Sequence, residues 1–140
     1  LRSDGRAVAV GSPSATECRL PVAEAGIRYV QAATGWHHTV LLRSDGLAVA
    51  VGTRSRRRCA IPPLAAGVRY CFVAAGACHT VLLRSDGRAI ACGTDTEGQC
   101  RPPEPEAGAG YVQASAGLNH TVLLRSDGRV LACGDNSHGQ

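Results

Sequence analysis

Three residue types that serve hydrolases recur together at fixed spacing. They fall at His38, Ser44 and Asp45, at His79, Ser85 and Asp86, and at His120, Ser126 and Asp127. Two chemistries follow from such a set. A Ser-His-Asp triad needs the three side chains in hydrogen-bond contact. A zinc site built from His38, His79 and His120 needs three or four ligands converging on one point at about 2 Å. The elements that carry the residues decide between them. Each trio belongs to one phrase, His-Thr-Val-Leu-Leu-Arg-Ser-Asp-Gly, which runs unchanged over His38 to Gly46, His79 to Gly87 and His120 to Gly128. Thr39 to Arg43 reads as an extended strand, which puts His38 roughly 17–20 Å from Ser44. That distance excludes a triad within one phrase. Equivalent His residues on neighbouring units point around an array and need not converge. Each His is instead expected to bond a neighbouring loop and fix the turn before its strand. No enzyme activity, metal or cofactor is expected.

The phrase sets the period. Asp-Gly pairs stand at 4/5, 45/46, 86/87 and 127/128, a spacing of 41 throughout. Such a period is the mark of a repeat architecture. One unit starts with a strand candidate at Tyr29 to Ala33, matched by Tyr70 to Ala74 and Tyr111 to Ser115. A Gly and two variable residues follow, then the strand of the phrase. Ser-Asp-Gly is hairpin punctuation, and Gly46, Gly87 and Gly128 are structural because the turn needs positive φ. A third strand runs from Leu47 to Val51, matched at 6–10, 88–92 and 129–133. A short outer strand is expected around Cys59-Ala60-Ile61, cut off by Pro62-Pro63. Thr39-Val40-Leu41-Leu42 puts apolar side chains on both faces, so the sheet must be covered on both. No stretch carries a helical period. These features predict an all-β fold: a partial β-propeller of about three and a half antiparallel blades with 41-residue repeats. The chain reads as a single array over 1–140, in pieces 1–28, 29–69, 70–110 and 111–140, and as a fragment of a longer propeller.

Composition narrows the classes further. The 140 residues are 44% hydrophobic and carry a net charge of +4. All 15 basic residues are Arg, and each phrase cancels one against an Asp. The excess comes mostly from Arg54, Arg56, Arg57 and Arg58, a candidate basic contact for phosphate or an acidic partner on a divergent loop. Five of the seven cysteines recur in phase, as Cys18/Cys59/Cys100 and Cys92/Cys133. That recurrence and the odd count favour buried structural thiols in a reducing compartment. No apolar run is long enough to span a bilayer, and no membrane partner is expected.

Specificity is expected where the copies differ. The variable pairs Trp36-His37, Ala77-Cys78 and Leu118-Asn119 sit on loops held by a constant frame, the usual place for partner contacts. Trp36 is the best single anchor.

The order Gly117-x-x-His120-Thr121, Asp127-Gly128, Gly134-x-Asn136-x-x-Gly139-Gln140 resembles the repeats of the regulator of chromosome condensation family, including its shorter bacterial versions. WD-repeat blades have a similar length but require a Trp-Asp pair that is absent here. The resemblance implies a ring of usually seven blades, of which this chain would supply about half. It also implies a non-catalytic protein–protein interaction module that presents variable loops on a propeller scaffold. Two alternatives come with it: a guanine-nucleotide exchange factor for a Ran-like small GTPase, and the substrate-binding propeller of a HECT-type ubiquitin ligase. The implied partner is a protein, a small GTPase among the candidates, with nucleic acid or chromatin a lesser one. The implied location is intracellular, cytoplasmic or nuclear.

Overall fold

The computed structural model describes residues 1–11, 18–52 and 60–140. Among these residues it has nine strands: β1 (Tyr29–Thr34), β2 (His38–Arg43), β3 (Ala48–Gly52), β4 (Tyr70–Ala75), β5 (His79–Arg84), β6 (Ala89–Gly93), β7 (Tyr111–Ala116), β8 (His120–Arg125) and β9 (Val130–Gly134). They form three separate antiparallel sheets in sequence order, β1-β2-β3, β4-β5-β6 and β7-β8-β9. Each is one 41-residue repeat. The partial propeller expected from the period is the observed fold.

The second strand of each sheet carries the packing. Along β5, side chains alternate between two neighbours. Leu82 joins Val40, Leu42, Tyr70 and Val73 in a core between the first and second sheets. Val81 and Leu83 join Ala74, Tyr111, Ala114 and Leu123 in a core between the second and third. Val81, Leu82 and Leu83 are all fully buried. A period of two with both faces apolar is what a sandwiched strand requires. The sheets meet along their first and second strands, with β1 and β2 against β4, and β4 and β5 against β7. They therefore splay from an inner edge formed by β1, β4 and β7.

Each first strand carries a bulge at the same place, between Tyr29 and Gln31, Tyr70 and Phe72, and Tyr111 and Gln113. A bulge bends and twists an edge strand. At the first seam Gln31 meets the backbone of the next edge strand. Its Nε2 donates to the Val73 carbonyl and its Oε1 accepts the Val73 N–H, both at 3.0 Å. The amide thus occupies part of an edge that would otherwise present open backbone groups.

The structure departs from the sequence reading in two places. Residues 6–10 form no strand and pair with none of the nine. The turn at Asp4-Gly5 is still made, and the segment lies against Leu41, His38 and Thr39. Ala60 and Ile61 form no outer strand; Pro62-Pro63 offers no N–H to extend a ladder there. Cys59 and the basic residues Arg54, Arg56, Arg57 and Arg58 lie outside the described residues.

Among the described residues no sheet covers the forward face of the third sheet. Leu124 is only half-buried and Val130 is 63% exposed, whereas the in-phase Leu42 and Leu83 are buried. Leu83→Ala should therefore cost about 2–5 kcal/mol by cavity formation. Leu124→Ala should cost less than half of that. Urea unfolding of the two variants checks the difference.

Candidate partner-binding groove

The loop between the first two strands of each blade is a tight Gly-x-x-His turn. The N–H groups of Gly35, Gly76 and Gly117 donate to the carbonyls of His38, His79 and His120 at 2.8, 2.9 and 2.9 Å. Only Gly fits the first position. A Cβ on Gly35 would stand 2.3 Å from the Gly76 carbonyl and 2.4 Å from the His38 ring. Successive turns thus pack backbone against backbone, and the Ala77 N–H donates to the Gly117 carbonyl across the seam at 3.1 Å.

This packing divides each variable pair. The first members, Trp36, Ala77 and Leu118, line one open groove of about 340 Å³ together with Thr34, the three turn glycines, Ala75 and Ala116. Trp36 is 66% exposed and Leu118 52%, while Ala77 is buried and forms the floor. No ionisable group lines the groove. The second members turn towards the loop after the third strand. The carbonyls of Cys78 and Asn119 each accept an N–H there, from Thr94 and Asp135, at 2.9 Å. His37 is exposed beside Trp36. Of the six expected contact residues, Trp36, Ala77 and Leu118 line this groove, and His37, Cys78 and Asn119 are not among its lining.

The repeated His residues serve the seams. His38 Nε2 lies 2.9 Å from Thr80 Oγ1, and His79 Nε2 lies 2.9 Å from Thr121 Oγ1. The partner is the second strand of the next sheet rather than a neighbouring loop. Thr121 donates its own hydrogen to the Gln99 carbonyl at 2.8 Å. It must therefore accept from His79, which places a hydrogen on Nε2. Burial, with His38 and His120 adding to it, lowers the His79 pKa to about 4. Among the described residues no group of three His, Cys, Asp or Glu stands close enough to hold a metal ion.

Ser and Asp of the phrase are framework at the far end of the strands. Ser44, Ser85 and Ser126 Oγ accept the N–H of Arg28, Arg69 and Gly110 at 3.1, 3.0 and 3.3 Å. Asp45 binds Arg43 at 2.6 Å, and that guanidinium holds its carboxyl below the usual range. Gly46 and Gly87 have φ of +84° and +82°, and their carbonyls accept the N–H of Tyr70 and Tyr111 in the next blade at 2.8 Å. Gly128 makes the same turn at φ +85°. Two framework contacts were missed in the sequence. Tyr29, Tyr70 and Tyr111 donate their hydroxyls to Pro21, Pro62 and Pro103; a constant Pro-to-Tyr spacing of eight was the available signal. Gln99 is fully buried, and its carbonyl receives the next blade's Thr. Cys18, Cys71, Cys78, Cys100 and Cys133 are free thiols. Burial pushes Cys100 up to about 12, so it is protonated and unreactive at neutral pH.

Splayed three-stranded sheets that meet at an inner edge, with one loop from each sheet gathered at one end, define a set of β-propeller blades. The comparisons give the kind of propeller. The signature of the Regulator of chromosome condensation (RCC1) repeat matches residues 70–99 and 111–140. Residues 70–99 and 111–140 are two repeats of the regulator of chromosome condensation family. Among solved structures, the CRINKLY WD40 ectodomain of the receptor kinase ACR4 from Arabidopsis thaliana is 21% identical, with a TM-score of 0.75 over 96% of this chain and 49% of its own. Prp20p from Saccharomyces cerevisiae, described with its binding properties to Gsp1p and histones, is 22% identical, with a TM-score of 0.67 over 82% of this chain and 32% of its own. Human WBSCR16 is 20% identical, with a TM-score of 0.66 over 79% of this chain and 36% of its own. The chain thus spans between a third and a half of these structures. No curated protein matches the sequence significantly. No helix among the described residues is long and apolar enough to cross a membrane.

The depressed His79 pKa has a consequence for stability. Between pH 6.5 and about 4 the unfolded chain takes up a proton at this residue that the folded chain does not. Stability should fall as pH drops through that window. The lowered carboxyls of Asp45, Asp95 and Glu106 lose their contribution only at lower pH, below their ordinary values of 3.8 to 4.5. Urea midpoints at pH 7 and pH 5 should show the drop, and His79→Asn should flatten it.

Proposed function

We propose that the chain is a non-catalytic protein-interaction module whose blades present the Gly-x-x-His turns as a recognition face. The observation that carries this reading is the convergence of Trp36, Ala77 and Leu118, from three different sheets, on one open apolar groove. Invariant residues build the seams, and the groove is lined by positions that change between copies. An exposed Trp in such a place supplies a large contact area at low entropic cost. The Ser, Asp and His that suggested hydrolysis are committed to backbone and seam contacts, which supports a non-catalytic role. The reading is tested by site-specific photo-crosslinking. A crosslinking residue at position 36 should capture a discrete protein that the same residue at position 88, at the opposite end of the blades, does not. Equal capture from both positions overturns it.

A second reading is nucleotide exchange on a Ran-like small GTPase. It is favoured by the likeness of fold to Prp20p, whose structure is described with binding to Gsp1p. A propeller of this kind would act by binding and prising open the nucleotide site, with no residue of its own taking part in a covalent step. The chain at micromolar concentration should then accelerate release of labelled GDP from Ran-like GTPases, and Trp36→Ala should slow that release at least ~10-fold, about 1.4 kcal/mol at a central anchor. An unchanged release rate in the presence of the chain removes this reading and leaves the first. The ubiquitin-ligase reading rests on the sequence resemblance alone. An intracellular location, nuclear or cytoplasmic, fits the protonated thiols and either reading.

A further inference from the structure

The hairpin tips, at the end of the blades opposite the groove, carry three copies of one arginine that are not equally satisfied. Arg43 binds two carboxylates: Nη2 is 2.6 Å from Asp45 Oδ2 and Nη1 is 3.2 Å from Glu24 Oε1. Arg125 does the same. Its Nη2 is 2.8 Å from Asp127 Oδ2 and its Nη1 is 3.0 Å from Glu106 Oε1. Arg84 keeps only the first partner, with Nη2 2.5 Å from Asp86 Oδ2. The residue in phase with Glu24 and Glu106 is Ala65. Among the described residues no second carboxylate reaches Arg84. Its Nη1 lacks the carboxylate that Glu24 and Glu106 give Arg43 and Arg125, and the side chain remains 23% exposed.

The backbone that would hold the missing carboxylate is unchanged. The N–H groups of Ile27, Val68 and Ala109 donate to the carbonyls of Glu24, Ala65 and Glu106 at 3.0, 3.1 and 3.1 Å. Gly26, Gly67 and Gly108 turn at φ of +81°, +79° and +83°. The seat is thus built three times and filled from within twice. Ala65 is exposed, so the middle seat opens to solvent. A guanidinium has a planar fork of donors suited to a carboxylate, and such charge-assisted pairs are among the stronger hydrogen bonds. Asp86 keeps a negative charge in the same seat, which disfavours a dianion such as phosphate and leaves room for a single carboxylate, as at the two flanking arginines.

We propose that Arg84 is a receptor for a carboxylate supplied from outside the chain, by an acidic side chain of a protein docked at the hairpin end of the blades. The proposal is independent of the groove, since the two lie at opposite ends of the strands. The test follows the Arg Nε–H resonances of the full chain by ¹⁵N NMR at low salt. An acetylated hexaglutamate peptide and sodium acetate are titrated at matched carboxylate concentration. The Arg84 resonance should shift saturably, while those of Arg43 and Arg125 stay in place. Ala65→Glu should abolish the shift, because the seat is then filled from within, and should raise Tm. Saturation by the peptide at lower carboxylate concentration than by acetate assigns the source to a protein. Saturation at equal carboxylate concentrations overturns the docked protein as the source. No saturable shift at Arg84, equal shifts at all three arginines, or a shift that survives in Ala65→Glu overturns the proposal.

Discussion

A β-strand that is apolar on both faces cannot leave either face in water without cost. That constraint governs this chain. Val40-Leu41-Leu42 and its two copies each need a neighbour in front and a neighbour behind. The hydrophobic effect supplies the drive, at roughly 25 cal/mol per Å² of apolar surface removed from water. It does not supply register. Register comes from the polar residues that are buried with the strand. His79 reaches forward to Thr121, Thr121 passes its hydrogen to Gln99, and Thr80 receives His38 from behind. A buried donor or acceptor left without a partner costs more than the bond it makes is worth. A blade displaced along its neighbour would break this relay, so one alignment of the sheets is favoured over the others.

The same architecture separates stability from recognition. The residues that are identical in every copy are those that face a neighbouring blade or pin a turn. The residues that vary are held at the turns, where a change of side chain costs the seams little. Trp36 and Leu118 can therefore be large and exposed while Ala77, between them, is buried under the line of the groove. At the opposite end the arginine clusters follow the same logic. Arg43 and Arg125 are each held by two carboxylates, whereas Ala65 leaves Arg84 with one, and the turn that carries Ala65 is unaltered. A repeat scaffold can differ at single surface positions in this way because each blade contacts only its immediate neighbours.

Much of this was legible in the chain itself. The period of 41, the two-faced apolar phrase and the Ser-Asp-Gly turns were enough to place three strands per blade, with ends within one residue of those observed. Local chemistry decides those features. The partners of His38 and His79 were not legible, because each bond joins residues 42 positions apart in different sheets. The strand expected at 6–10 failed for a related reason. Its own pattern is suitable, but a strand exists only when a second strand pairs with it. The outer strand at Ala60-Ile61 is absent beside Pro62-Pro63. Trp36, Ala77 and Leu118 share a phase in sequence, but phase alone does not say that they face one groove that His37, Cys78 and Asn119 do not line.

The sequence by itself determined the unit of this protein. It set the blade length, the antiparallel hairpin, the need for cover on both faces, and the exclusion of a triad within one phrase, because all of these depend on residue type and spacing over a few positions. The tertiary structure decided what passes between units. It paired His with Thr across each seam, gathered three turns into one groove, and left one of three equivalent arginines short of a carboxylate. Those outcomes depend on how neighbouring sheets approach and on which side chains then meet, and no local pattern contains that distance.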